Sequence, residues 1–296
     1  MRKVALRAHA LLPRQYDHQK VLATTVDAWG RALWLICPDA ELQPHSFGRP
    51  YPRPRTRPYD ALLVINSGGT VREQHLRGVS LRVTQLDALP NGRFVLQGHG
   101  EAGERNAQIY GPDGRLRQRF AMGRAVEYLM ADRHHHVWSA YFDEGVYVDP
   151  ISAAGLVRWD SGGNQQWGYT PAEGVEYIDT VYALNVDDGV AWASYHPTFP
   201  LLEARTDGRT RLRKTPVAAP AGMAVHGEQI VLLGGNRQPD RLHRCRMTEH
   251  EALLVEEACL TLPNGAPLKR YARPVGRGRH LYLRGTSLRQ WYVMSI

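Results

Sequence analysis

Short apolar runs alternate with polar turns along the whole chain. Leu62-Leu63-Val64-Ile65 and Leu156-Val157-Arg158-Trp159 are examples, each bounded by glycine, aspartate or asparagine. Runs of this kind predict β-strands joined by tight turns rather than helices. One composite unit recurs: a small apolar strand, a polar tight turn, then a second strand carrying an aromatic or branched residue. It reads Val26-Asp27-Ala28-Trp29-Gly30-Arg31-Ala32-Leu33-Trp34, then Leu86-Asp87-Ala88-Leu89-Pro90-Asn91-Gly92-Arg93-Phe94-Val95. It returns from Ala131 to Trp138, from Asn185 to Trp192, from Ala224 to Val231 and from Val275 to Tyr282.

Between these units lie turn tetrads: Ser67-Gly68-Gly69-Thr70, Pro112-Asp113-Gly114-Arg115, Ser161-Gly162-Gly163-Asn164 and Thr206-Asp207-Gly208-Arg209. Asp-Gly and Gly-Gly supply the positive φ that tight hairpins need. Each unit therefore has two hairpins, hence four strands, and four-stranded units repeated radially are propeller blades. The pattern predicts an all-β, six-bladed propeller, with residues 1–296 as one domain. The last unit has three strands before the chain ends. The run from Lys3 to Ala8 is expected to complete it by pairing with the strand around Trp291 to Met294, which removes an exposed edge.

If the strands of a unit are A to D from the axis outward, A–B and C–D turns share one face. The B–C and D–A loops share the other. The compact turns fall on the first face and the longer loops on the second. His134-His135-His136 is an A–B turn, and neighbouring residues on a strand point to opposite sides. It reads as a polar turn rather than a metal cluster. The loop-rich face gathers Tyr141 to Pro150, Glu173 to Tyr182 and Ser194 to Pro200 from adjacent units. Asp143, Glu144, Glu176, Asp179, Tyr182 and His196 are the candidate ligand-binding residues there, expected around the axial opening. Carboxylates, tyrosines and a histidine can hold a polar ligand against aromatic faces, hold a divalent cation through oxygen ligands, or serve as acid–base groups. His99, Glu101, Glu104 and Asn106 can add to this face, as can Asn236, Arg237, Asp240 and Arg241. A proline- and arginine-rich loop at 39–59 overhangs it and reads as an ordered excursion, a lid or a partner contact.

Composition narrows the classes. The formal charge is +8 and the basic residues are almost all arginine, with only Lys3, Lys20, Lys214 and Lys269 as lysines. No nucleic-acid module or aromatic-interleaved basic helix accompanies that charge, so nucleic acid is not the expected partner. Three cysteines, Cys37, Cys245 and Cys259, do not make a disulfide framework. No apolar run is long enough to span a membrane, and the charged start, broken by Arg7 and His9, does not read as a signal peptide. A cytoplasmic location is the expectation. No nucleophile elbow, phosphate loop, dinucleotide fingerprint or zincin motif is present.

In rhythm the chain resembles NHL-type and WD-repeat-like propellers, without their diagnostic dipeptides in register. Tyr141-Phe142-Asp143-Glu144-Gly145-Val146, Ala153-Ala154-Gly155-Leu156-Val157-Arg158, Tyr182-Ala183-Leu184-Asn185-Val186 and Trp192-Ala193-Ser194-Tyr195 are similar to an uncharacterised bacterial β-propeller family. That resemblance implies the fold and no activity. Gluconolactonase-like propellers hold a divalent metal on the axis with Glu, Asn and Asp. Glu176, Asp179 and Asn185 are the nearest types here, outside that family's motif. Streptogramin lyases are propellers of similar length whose metal-associated histidine and glutamate pattern is not matched. The sequence thus favours a propeller that binds a polar small molecule or a protein partner on its loop-rich face. The alternatives are a metal-assisted hydrolase or lyase on the same face and a purely structural interaction scaffold.

Overall fold

The computed structural model describes residues 1–38, 58–235, 238–268, 274–285 and 287–296. Most of the proline- and arginine-rich loop, with Asn236 and Arg237, lies outside them. Two strands open the chain, β1 (Arg2–Ala5) and β2 (Arg7–Leu11). Unit one is β3 (Gln19–Val26), β4 (Ala32–Pro38), β5 (Tyr59–Ser67) and β6 (Thr70–Val79). Unit two is β7 (Val83–Leu89), β8 (Arg93–Gly98), β9 (Ala107–Tyr110) and β10 (Leu116–Phe120). Unit three is β11 (Val126–Ala131), β12 (His136–Tyr141), β13 (Leu156–Asp160) and β14 (Gln165–Gly168), with a one-turn helix, α1 (Asp143–Val146), after β12. Unit four is β15 (Thr180–Asp187), β16 (Val190–His196), β17 (Leu201–Arg205) and β18 (Thr210–Arg213). Unit five is β19 (Gly222–His226), β20 (Gln229–Leu233), β21 (Arg241–Met247) and β22 (Ala252–Thr261). The last strands are β23 (Val275–Arg277), β24 (His280–Leu283) and β25 (Gln290–Ser295).

Each unit is an antiparallel meander in chain order. The expected all-β class and four-stranded sheets are present. The tetrads named above join third strand to fourth in units one to four. Aspartates make these turns by accepting backbone N–H groups. Asp160 Oδ1 accepts from Gly162 and Asn164, and Asp27 Oδ1 accepts from Trp29 and Arg31 in a turn between first and second strands. This Asx geometry is why Asp recurs at these positions.

The N-terminal segment departs from the expected register. β2 pairs antiparallel with β25, Arg7 opposite Val293 and Leu11 opposite Gln290, and supplies the fourth strand of the last unit. Residues 2–5 do not join it. They run parallel to β22, with Lys3 opposite Cys259. Leu6 sits between the two strands, 1% exposed.

Apolar clusters lie between the meanders. Leu33 and Leu63 of unit one pack with Leu86 and Leu96 of unit two. Val95 and Val137 share a cluster between units two and three, and Trp138 and Leu184 one between three and four. Leu201 and Leu232 join units four and five, Leu233 and Leu281 join unit five to the last strands, and Trp34 and Trp291 lie in one cluster of unit one and the last strands. The two tryptophans keep their indole donors bonded, Trp34 Nε1 to Leu288 O at 2.9 Å and Trp291 Nε1 to Thr24 Oγ1 at 2.9 Å. They add large apolar area without an unmet polar group.

First strands meet near the centre. β15 and β23 form a parallel bridge at Asn185 and Gly276. A Cβ on Gly276 would stand 2.5 Å from Met223 O and 2.9 Å from Leu184 O, so only glycine permits this approach. The amide of Asn185 donates to Met223 O and Gly278 O and accepts from Gly278 N.

Candidate functional site

At the end of β12 the chain leaves the sheet at Phe142 and winds through α1. Asp143 starts that turn: its Oδ1 accepts the Glu144 amide at 2.7 Å. Its own amide donates to Thr180 Oγ1, at the first residue of β15, at 3.1 Å. The end of the loop is pinned by the buried Asp149, whose two oxygens accept the amides of Ile151 and Arg124. The loop of unit three is thereby fixed against the start of unit four.

Thr180 Oγ1 passes the connection on, donating to Asp179 Oδ1 at 3.1 Å. Asp179 Oδ2 lies 2.9 Å from His196 Nδ1. Thr180 and His196 are opposite each other in the β15–β16 ladder, which explains why Asp179 reaches the ring. In a neutral imidazole whose Nδ1–H donates to the carboxylate, Nε2 is the free acceptor. The His196 side chain is 44% exposed and that of Asp179 20%, so the pair meets solvent.

Aromatic rings flank this pair on both sides. His196 and Tyr182 each pack edge-to-face on Phe199, with centroids 5.7 and 5.1 Å apart. Tyr147 and Tyr177 meet edge-to-face at 6.2 Å, their hydroxyls 3.1 Å apart. The Tyr147 phenol is pushed up to about 12, chiefly by its bond to Tyr177, with a small desolvation and the negative charge of Asp179 adding to it. Glu176 is held nearby by Thr198, whose Oγ1 donates to Oε2 at 2.8 Å.

A cavity of about 730 Å³ opens beside this strip, between the loops of units two and three. Arg82, His99, Glu101, Glu104, Phe142 and Glu144 are among its lining residues. Arg124 reaches Glu101 at 3.3 Å across it. Its floor is fixed: Thr84 Oγ1 donates to Gln97 Oε1, and Gln85 spans to Val126 O and Leu129 N.

The structure therefore joins Asp143, Asp179 and His196 through Thr180, places Tyr182 against the same Phe199 as His196, and brings in Glu176 through Thr198. Glu144 turns instead to the neighbouring cavity. His99, Glu101 and Glu104 line that cavity, whereas the buried Asn106 is a loop pin, donating to Gly123 O and accepting from Met122 N. Arg241 is bound to Glu257 at 2.8 Å. Sequence reasoning did not single out Tyr147, Tyr177, Thr180 or Phe199. Loop aromatics carry no period, so the usable signal was their density between Tyr141 and Phe199.

The histidine triplet makes a polar turn at the opposite end of the units. His134 meets Asp188 at 2.7 Å, His136 meets Asp132 at 2.9 Å, and His135 carries the turn's positive φ of 69°. Among the described residues no three His, Cys, Asp or Glu side chains are grouped so as to hold a metal ion. Asn185 spends its amide on the backbone, away from Glu176 and Asp179. A cavity of about 820 Å³ also opens at the tight-turn end, between units four and five, lined by Trp192, Arg205, Arg211 and Glu228. Much of its charge is paired, with Arg205 and Arg213 on Glu203 and Arg209 on Asp207. No helix among the described residues is long and apolar enough to cross a membrane.

No family model and no curated protein sequence matches the chain. Its fold is similar to that of Kluyveromyces lactis Hsv2, with a TM-score of 0.54 and 9% identity, covering 94% of this chain and 73% of that one. The virginiamycin B lyase of Staphylococcus aureus gives a TM-score of 0.50 and 12% identity, covering 97% of this chain and 98% of that one. Both are β-propeller-like proteins, and the chain has that class of fold. Identities this low carry the fold alone, and this fold hosts unrelated functions.

Proposed function

We propose that the chain is a single six-bladed β-propeller domain over residues 1–296 whose loop-rich face binds a polar small molecule or a protein partner. Six meanders, packed in sequence with the sixth against the first, support the closed ring. Three cysteines without a disulfide framework fit a reducing, cytoplasmic setting. The observation that carries the binding reading is the Asp179–His196 pair, half-open to solvent, with Phe199 and Tyr182 packed on one side and the exposed Tyr147–Tyr177 pair nearby. It offers charge, hydrogen bonds and aromatic surface within one reach, beside a cavity of ligand size.

Thermal-shift screening against polar metabolites tests this. Ligands that raise the wild-type Tm should lose that effect in Asp179→Asn and His196→Ala, while the unliganded Tm moves by less than about 2 °C. Undiminished ligand shifts in both variants would remove the strip from the site. A large drop in unliganded Tm would make these residues loop pins.

The second reading is acid–base catalysis on the same face. It is favoured by His196, oriented by Asp179 with Nε2 directed away from its partner. A turnover that follows a single ionisation and disappears in His196→Gln would select it.

A further inference from the structure

We infer that the loop-rich face of units two to four receives a cationic partner: a peptide segment carrying arginine or lysine. This rests on the reading of that face as the binding face and names its ligand class. The first observation is charge segregation. Between residues 141 and 182 the loops of this face carry Asp143, Glu144, Glu173, Glu176 and Asp179 in exposed or half-exposed positions, and the one Lys or Arg in that stretch is Arg158 on β13, in a chain whose net charge is +8. Arg158 is buried, so it does not offset the acidity of the surface.

The second observation is exposed aromatic surface at the same place. Phe142, Tyr147, Tyr177 and Tyr182 are exposed, with the exposed Val148 next to Tyr147, and all lie on the loops or strand start of units three and four. Clustered exposure of large rings on a folded domain marks an interaction surface. The third is the adjoining cavity, whose described lining holds four carboxylates, Glu101, Glu104, Glu127 and Glu144, beside Arg82, Arg124 and His99. Arg124 already sits on Glu101.

Carboxylates beside ring faces fit a guanidinium or ammonium group. The carboxylate accepts charge-assisted hydrogen bonds, and the ring face attracts the cation. An anion would meet the carboxylates with repulsion, and a neutral ligand would leave them unused. The strip and cavity together run across three consecutive units, which suits an extended segment better than one small cation. The positive charge of the rest of the molecule repels such a segment from other faces and so directs it here.

The test is fluorescence anisotropy with a fluorescein-labelled hexa-arginine peptide, against hexa-glutamate and a neutral Gly-Ser peptide of equal length. Hexa-arginine should bind saturably and the other two should not. Tyr147→Ala/Tyr177→Ala should weaken it about fivefold at constant salt, and Glu144→Gln/Glu176→Gln by a similar factor. These side chains are exposed, so circular dichroism and Tm should stay those of the wild type. Asp188→Asn, on the tight-turn face, should bind as wild type does. The inference is overturned if hexa-arginine does not bind, if the tyrosine variant binds unchanged, or if Asp188→Asn weakens binding as much. If hexa-arginine fails while polar metabolites still act through Asp179 and His196, only the cationic class falls. If both fail, the loop-rich face is not the binding face.

Discussion

Glu203 on β17 lies between Arg205 at 2.6 Å and Arg213 at 2.9 Å, its side chain only 7% exposed. Arg213 also donates to Thr248 O of unit five and stacks its guanidinium over Trp192. Burial alone would push the Glu203 carboxyl up, but the bonds from the two arginines outweigh it and hold the group below its usual range. A lowered carboxyl pKa means stability that is present above the unfolded value of about 4.3 and is lost as pH falls through the folded value. Glu203→Gln should therefore cost on the order of 2–3 kcal/mol at pH 7, because Arg213 is left buried without its counter-charge. Urea unfolding at pH 7 and below pH 4 checks it: the gap to the wild type should shrink in acid. At this scale the sequence was readable where one residue type has one job. Asp27 and Asp207 were visible as turn formers. Glu203 was not, since nothing in the string Leu201-Leu202-Glu203-Ala204 tells that its carboxylate faces arginines two and ten positions on.

Among elements, the meanders were legible because turn chemistry and strand composition agree. The N-terminal strand was not. Residues 3–8 read as one continuous strand, but the structure divides them between β22 and β25, with Leu6 as the pivot. Leu6 packs with Val231 and Leu260 of unit five and Leu283 of β24. A strand that serves two sheets has no distinct periodicity, so only packing reveals the division. Leu6→Ala should destabilise the protein by about 2–5 kcal/mol, the range for a buried leucine truncated to alanine. It should also raise amide exchange in both β1 and β2, since one side chain anchors both. Faster exchange in β2 alone would show that β1 is held independently. The loops of the candidate site were legible by face but not by contact. Topology placed Asp143, Asp179 and His196 on one side, whereas the link through Thr180 depends on a β-ladder register that turn signals do not fix.

For the whole molecule, Arg277 connects more units than any bond in the ladders. From β23 its Nε donates to Val26 O of unit one, its Nη1 to Ala131 O of unit three and its Nη2 to Asp87 of unit two, at 3.0, 2.7 and 2.5 Å. Asp87 is wholly buried and also accepts the amides of Ala88 and Ala131. Burial pushes its carboxyl up to about 6, with Arg277 and the Ala131 amide opposing that rise. Arg277→Met removes the opposition and all three connections, and leaves the Asp87 carboxyl buried without a counter-charge, so that it must either stay ionised at a cost or take up a proton. The expected cost at pH 7.5 is on the order of 3–5 kcal/mol. The sign of its pH dependence follows from linkage. A carboxyl raised in the folded state contributes stability fully present below its unfolded value of about 3.9 and lost as pH rises through the folded value. Without Arg277 the folded value climbs further, so the variant should lose more stability than the wild type between about pH 4 and pH 8. The gap between the two proteins, measured by urea unfolding, should be smaller at pH 4.5 than at pH 7.5. A gap that is the same at both would show that Asp87 does not titrate against Arg277, and that the arginine serves only as a mechanical tie between units. Arg277→Met/Asp87→Leu separates the contributions: it removes the buried charge together with its partner, so it should recover part of the loss at pH 7.5 and show no excess pH dependence.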